Sequence, residues 1–290
     1  MSAACTTAHA QRAAAPVPAM LRLRRALAPA ARRGVTSWTR VRGVTVQAGG
    51  WGAPVTFHPA RIVSSTRAAE GLQSLLVEVP AVVAAGYSTP GQYLQVRVSA
   101  DDKPAFIALA SAVGAHGGAV ELLIKAQAGT TAALCELAAG ASLEVSEAQG
   151  RGFQTAALPV GDVPHVLLFA TGSGLSPMRA LLETPARLGG LAQALSSIHL
   201  YVGVRTPAHL PFAQQLDAWE RAGMRVTRVY SQHATGAHAQ YVQEVFAAAG
   251  GVRSPATTGA VLVGQKLMAE ALIADFTAAG VPRERILMNF

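Results

Sequence analysis

The chain is poor in cysteine, in aromatic residues and in charge. Of its 290 residues 2 are cysteine, 6% are aromatic and 14% are charged. Cys5 lies in a leader segment and Cys135 has no partner in the body, which excludes an internal disulfide and a cysteine-based metal site there. Low charge beside 51% hydrophobic residues excludes a disordered chain, which would be apolar-poor and rich in net charge. Long apolar runs are missing as well. Ala81 to Gly86 and Val166 to Ala170 fall far short of the roughly 18 residues of a membrane span. The glycines follow no collagen-like period, and no repeat has solenoid length. The composition is that of a globular, alanine-rich protein with one large or two modest domains.

Acidic residues are absent before Glu70, where all ten basic residues are arginines, at positions 12, 22, 24, 25, 32, 33, 40, 42, 61 and 67. The first 69 residues therefore carry +10, and the remainder carries −2 of the net +8. A basic body would point to nucleic acid, and this body gives no such support. An Arg-rich, acid-free opening reads as an organelle transit peptide, placed at residues 1–48. Met20 to Leu27 supplies a short basic amphipathic turn stopped by Pro29, and Val46-Gln47-Ala48 offers a small-residue cleavage site. The expected destination is the chloroplast, with the mitochondrion as the alternative.

Residues 56–155 carry strand and turn signals. Gln73–Val79, Tyr93–Val98, Phe106–Leu109 and Val120–Lys125 read as strands, with period-two alternation clearest in the second. Pro90-Gly91, Asp101-Asp102 and His116-Gly117-Gly118 are turn chemistry, and Ala132–Ala138 reads as a short helix. Short strands at this spacing predict an antiparallel barrel. After a linker bracketed by Pro159 and Pro164 the rhythm changes. In residues 164–290, strands at Val166–Ala170, Ile198–Gly203, Arg225–Tyr230 and Ala260–Val263 alternate with helices at Pro177–Leu188, Phe212–Ala222, Val242–Ala248 and Lys266–Ala279. That alternation predicts a doubly wound parallel sheet, a second domain of α/β class.

The sharpest local signal is Phe169 to Arg179, where a strand ends in Thr171-Gly172-Ser173-Gly174 and Pro177 can open a helix. Glycines permit close backbone approach, and a helix N-terminus favours a pyrophosphate. A glycine-rich loop that merely closes a strand–helix turn is the alternative.

Together with these residues, the order of motifs along residues 56–290 resembles the ferredoxin–NADP reductase superfamily, particularly a plastid oxidoreductase branch. Thr171 to Pro177 resembles its Gly-x-Gly-x-x-Pro loop, and Leu200 to Arg205 with Phe212 resembles the strand that follows. Ser231 and Tyr241-Val242-Gln243 resemble the adenosine-side segment. Val263-Gly264-Gln265 with Met268 stands where the family has Cys-Gly-Pro and Met, and Arg285 to Phe290 resembles the terminal strand. In the first domain, Pro90-Gly91-Gln92-Tyr93, Gly129-Thr130-Thr131 and Gln149 to Phe153 resemble flavin-domain motifs. The resemblance implies an FAD-binding barrel followed by an NAD(P)-binding domain. It implies FAD contacts at Phe106, Ile107, Ala108, Ile124, Lys125, Gly129, Thr130 and Thr131. It implies NAD(P) contacts at Thr171, Gly172, Ser173, Gly174, Leu175, Ser176, Pro177, Arg205, Ser231, Tyr241, Gly264, Gln265 and Met268, with Ser111 and Phe290 nearest the flavin ring.

One departure matters. The family's Arg-x-Tyr-Ser flavin motif is replaced by Ala105, Phe106, Ile107 and Ala108, which removes a phosphate-binding fork, with Lys103 as a partial substitute. The 2′-phosphate position beside Ser231 holds Gln232, which leaves Arg205 and Arg228 as the basic candidates and favours NADP over NAD only slightly. The activity this implies is hydride transfer between NAD(P)H and FAD, with electrons passing onward to an acceptor such as a small electron-transfer protein. The alternative is a non-catalytic nucleotide-binding or assembly protein that keeps the fold without flavin.

Overall fold

The computed structural model describes residues 45–46, 55–159, 161–184, 197–232 and 240–289. Nearly all of the leader, the helix end expected at Leu188, and Phe290 lie outside the described residues.

The first half is an antiparallel barrel. Strand β1 (Thr45–Val46) pairs with β2 (Val55–Ala69), which turns at Glu70-Gly71 into β3 (Leu72–Glu78). Strands β4 (Tyr93–Arg97), β5 (Ala105–Ala108), β6 (Ala119–Lys125) and β7 (Ser142–Ser146) complete the order β5-β4-β7-β2-β3-β6. A bridge between Leu109 and Leu122 brings the two ends of that order together, so six strands nearly close. Leu75, Val77, Leu94, Val96, Leu122, Ile124, Leu143 and Val145 fill the interior. Helices α1 (Ala81–Gly86) and α2 (Thr130–Cys135) add Val83 and Leu134 to it. Arg97 is buried in the wall, where its Nε donates to Glu144 at 2.6 Å and its guanidinium lies 3.9 Å from the Phe57 ring centroid.

The second half is a five-stranded parallel sheet in the order β10-β9-β8-β11-β12. Its strands are β8 (His165–Thr171), β9 (Ile198–Val204), β10 (Arg225–Tyr230), β11 (Thr258–Val263) and β12 (Ile286–Leu287). Helices α3 (Leu175–Glu183), α4 (Ala213–Arg221), α5 (Val242–Ala248) and α6 (Lys266–Ala278) connect or flank them. Every residue of β11 is buried, as a strand covered on both faces must be.

Several boundaries differ from the sequence expectation. Helix α3 begins two residues before Pro177, continuing a tight turn over Gly172–Gly174. It stops at Glu183 because Thr184 turns extended, its hydroxyl donating back to the Ala180 carbonyl at 2.6 Å. Helix α2 starts at Thr130, and β12 ends at Leu287 instead of running to the terminus.

Candidate functional site

In a sheet ordered 3-2-1-4-5 the chain runs from β8 outward through β9 to β10 on one side and then crosses back to β11 on the other side of β8. A crevice therefore opens beyond the carboxyl ends of β8 and β11. Two loops line it and are clasped together: the Gln265 N–H donates to Thr171 Oγ1 at 2.9 Å. Close approach explains the glycines. Gly264 has φ 141, and a Cβ there would collide with Thr171. A Cβ on Gly174 would sit 2.7 Å from the Val263 carbonyl oxygen. Gly172 has φ 54, and a Cβ there meets no described atom within 4 Å, so its backbone faces open space. The N–H groups of this first turn have no intrahelical acceptor and carry the positive end of the α3 dipole.

The residues expected to contact a nicotinamide dinucleotide divide into two groups. Thr171, Gly172, Ser173, Gly264 and Gln265 come together at the crevice. Arg205 is exposed at the end of β9 and Ser231 follows β10; their segments are joined by bonds from Ser231 N–H to the Val204 carbonyl at 3.0 Å and from Gln232 N–H to the Arg205 carbonyl at 2.8 Å. Tyr241 is 46% exposed immediately before α5. By contrast, Leu175, Pro177 and Met268 are buried, so their side chains belong to the core. Ser176 is buried too, donating to the Ala108 carbonyl of β5 at 3.2 Å and tying the crevice loop to the barrel. Arg228 is spoken for. It donates to Asp217 at 2.8 Å and Glu220 at 2.7 Å on α4, and the Glu220 hydrogen bond holds it more firmly charged. This corrects the expectation that it is free for a phosphate.

On the barrel, the β4–β5 register decides which side chains face outward. Leu94 opposes Ile107 and both are buried inside, whereas Gln95 opposes Phe106, which is 64% exposed. The Phe106 ring lies 5.7 Å from that of Tyr93, tilted by 52°. The outward aromatic is therefore Phe106, and the Ile107 and Ile124 side chains pack within the barrel rather than toward a ligand. Ala108 is half-buried, and Lys125 is exposed at the end of β6. Gly129 has φ 76 and opens α2. The Thr130 hydroxyl donates to the Lys103 carbonyl at 2.7 Å, which anchors residue 103 beside this turn. Thr131 Oγ1 is buried with no hydrogen-bond partner among the described residues. Ser111 braces the barrel wall. Its hydroxyl accepts from Glu121 N–H at 3.1 Å, and its carbonyl accepts from the Tyr87 hydroxyl at 2.7 Å. Burial pushes that Tyr87 phenol well above its ordinary range.

Two features escape sequence reasoning. Asn289 Oδ1 is buried without a partner among the described residues, just before the terminal aromatic. Arg179 joins α3 to the barrel through Glu121 at 2.6 Å. A helical arginine two residues after Pro177 reads as solvated, and no spacing rule separates the two cases.

A barrel of this order followed by a parallel sheet with a clasped glycine crevice defines the FAD/NAD-binding reductase fold. The chain shares the fold of the ferredoxin–NADP reductase-like FAD/NAD-binding proteins and belongs to the same family as the fruit protein pKIWI502 of Actinidia deliciosa. Residues 168–273 match the family model of the Oxidoreductase NAD-binding domain. The chain is 33% identical over 236 residues to the fruit protein pKIWI502 of Actinidia deliciosa, which covers 77% of this chain and 73% of that protein. A ferredoxin NADP+ reductase from Neisseria gonorrhoeae with bound FAD and NADP superimposes with a TM-score of 0.65 at 18% identity, over 80% of this chain and 97% of that one. The Amycolatopsis cytochrome P450 reductase GcoB gives a TM-score of 0.64 at 22% identity, over 84% and 72%. At these identities the structural likeness is one of fold.

Proposed function

We propose that the protein is an FAD-dependent NAD(P)H oxidoreductase, with flavin on the barrel and a nicotinamide dinucleotide in the crevice. The observation that carries this reading is the Ser176–Ala108 bond, which sets the turn Thr171–Gly174 directly beside the outer edge of β5. One frame thereby joins a dinucleotide loop to the barrel strand that presents Phe106.

The residues present fit FAD. The orphaned Thr131 Oγ1 has a donor and acceptor to spare, and the Lys103 backbone is anchored to the neighbouring Thr130 hydroxyl. Phe106 and Tyr93 offer an outward aromatic surface for a planar ring. Bound FAD would accept hydride and pass electrons on singly or in pairs, so no side-chain acid–base relay is required. Gly172 and Ser173 supply backbone donors to a pyrophosphate, Tyr241 an adenine-facing ring, and Arg205 a cation for a 2′-phosphate. With Arg228 committed elsewhere, Arg205 is the basic residue among the described ones that supports NADP over NAD, and the preference is modest.

The non-catalytic alternative is disfavoured by the same buried Thr131 hydroxyl, which costs about 1–3 kcal/mol when nothing pairs with it. The arginine-rich, acid-free leader supports import into the chloroplast, with the mitochondrion as the alternative. A small electron-transfer protein is the proposed acceptor class. Binding of FAD to the full-length protein, followed by quenching of flavin fluorescence, tests the reading. Saturable binding that Thr131→Val weakens supports it, and absence of binding by the unaltered chain overturns it.

A further inference from the structure

We infer that Arg179 is a positioning residue for the proposed hydride transfer, fixing the crevice loop against the barrel; this rests on the flavin and nicotinamide reading above. Arg179 lies five residues beyond Gly174 on α3, about 7–8 Å along the helix axis. Its Nη1 donates to Glu121 Oε2 of β6 at 2.6 Å, and its Nε donates to Glu183 Oε2 at 3.0 Å. The other Glu121 oxygen accepts from the Ser74 hydroxyl of β3 at 2.7 Å. The guanidinium carbon lies 4.6 Å from the centroid of the Phe212 ring. Phe212 itself holds φ 56, a left-handed conformation that a bulky residue keeps only when its surroundings over-determine it. The Arg179 and Glu121 side chains are 13% and 15% exposed, so solvent and salt screen this pair little.

Ser176, Arg179 and Glu183 recur at helical spacing along α3, and Thr184 follows at its C-terminal end. Ser176 bonds the Ala108 carbonyl, and Thr184 Oγ1 accepts from the Val113 N–H at 3.2 Å. Arg179 stands between these neutral ties as the charged one. Without it, Glu121 and Glu183 face each other as like charges. Burial raises the Glu183 carboxyl above its ordinary range, and the Arg179 charge and hydrogen bond oppose that rise. Removing the guanidinium turns an attractive junction into a repulsive one. The helix would then shift, and its N-terminal loop with it. A misplacement of about 1 Å at the reacting centre can cost roughly 100-fold in rate while each cofactor still binds.

The test compares the full-length protein with Arg179→Gln, Arg179→Lys and the exchanged pair Glu121→Arg/Arg179→Glu. Hydrogen exchange is followed first without cofactor, then FAD and NADPH affinities are measured. Anaerobic single-turnover flavin reduction and long-wavelength charge-transfer absorbance complete the comparison. Arg179→Gln is expected to exchange faster over residues 175–184 and to bind both cofactors within about 3-fold of the unaltered chain. It should lose the charge-transfer band and be reduced about 10- to 100-fold more slowly. Arg179→Lys and the exchanged pair should each recover at least part of the rate, which also covers the case in which Arg179→Gln does not fold. A wild-type rate and band in Arg179→Gln overturn the inference, as does a rate loss matched by an equal loss of NADPH affinity. Failure of the unaltered chain to take up FAD sinks the parent reading instead, and the cofactor-free exchange comparison tells the two apart.

Discussion

Gly174→Ala isolates the steric argument for the crevice. Gly174 has φ −61 and ψ −15, ordinary right-handed helical values, so alanine incurs no backbone strain there. Space decides otherwise. The new Cβ would lie 2.7 Å from the Val263 oxygen, 3.0 Å from its carbonyl carbon and 3.2 Å from Gly264 Cα. All three are backbone atoms, in or directly following a fully buried strand, so no flexible side chain can yield. Relief requires the two loops to part by about 0.5 Å or more, and overpacking of this kind costs about 1–3 kcal/mol. The net expectation is a loss of about 1–3 kcal/mol, or a Tm lower by about 2–9 °C in a protein of this size. Because the Thr171–Gln265 clasp is pulled apart, the dissociation constant for NADPH should rise about tenfold, which corresponds to about 1.4 kcal/mol. Gly172→Ala is the control for the clasp in the thermal melts alone: its φ of 54 imposes strain, but its Cβ meets open space and leaves the clasp intact. Thermal melts follow both variants, and calorimetric titration follows Gly174→Ala. Unchanged Tm and affinity in Gly174→Ala would refute the reasoning.

The barrel and the sheet edges yield further tests. Thr131→Val removes an unpaired buried hydroxyl, so the cofactor-free protein should be unchanged or up to about 1 kcal/mol more stable, while FAD affinity falls about tenfold. Arg205→Ala should weaken NADPH about tenfold and leave NADH unaffected, whereas Arg228→Ala should change neither, because its partners are Asp217 and Glu220; paired titrations check this. His199 is stacked 4.2 Å from the Tyr201 ring and bonded to the Thr227 hydroxyl at 2.8 Å; burial first, then the Arg225 charge, lower its pKa from 6.5 to about 4. The unfolded chain takes up that proton near pH 6.5 and the folded one only near pH 4. Stability is thus fully present above pH 6.5 and is lost as pH falls toward 4, by about 1–2 kcal/mol after allowing for partial exposure. His199→Gln should flatten the Tm–pH profile in that window.

The α/β half is legible because its strands are continuous apolar runs punctuated by helices. Val166–Ala170 and Ala260–Val263 announce burial on both faces, and the glycines between Thr171 and Pro177 announce the crevice. The barrel is less legible. Strand β2 carries Pro59, Arg61, Ser64, Ser65 and Arg67, and its register shifts between Ile62 and Ser64, so a single two-residue period cannot run its length. The β5 strand is apolar at Phe106 and Ile107 alike, and only pairing with β4 decides that Phe106 faces out. A one-residue difference in register exchanges the two faces. The pairing of Arg228 with α4 and of Arg179 with β6 joins residues that lie 8 to 58 apart in the chain. Local pattern carries no trace of such contacts, which is why Arg228 resembles a free phosphate ligand in the sequence and the Arg179 tie to the barrel goes unread.

Reduction of the flavin by nicotinamide tests the proposed chemistry most directly. Full-length protein loaded with FAD is titrated anaerobically with NADPH and, separately, with NADH while the visible spectrum is recorded. A yellow protein whose flavin bands bleach on addition of reduced nicotinamide, somewhat more readily with NADPH, is the expected result. A chain that stays colourless after incubation with FAD, or one that binds both cofactors but never bleaches, would contradict it.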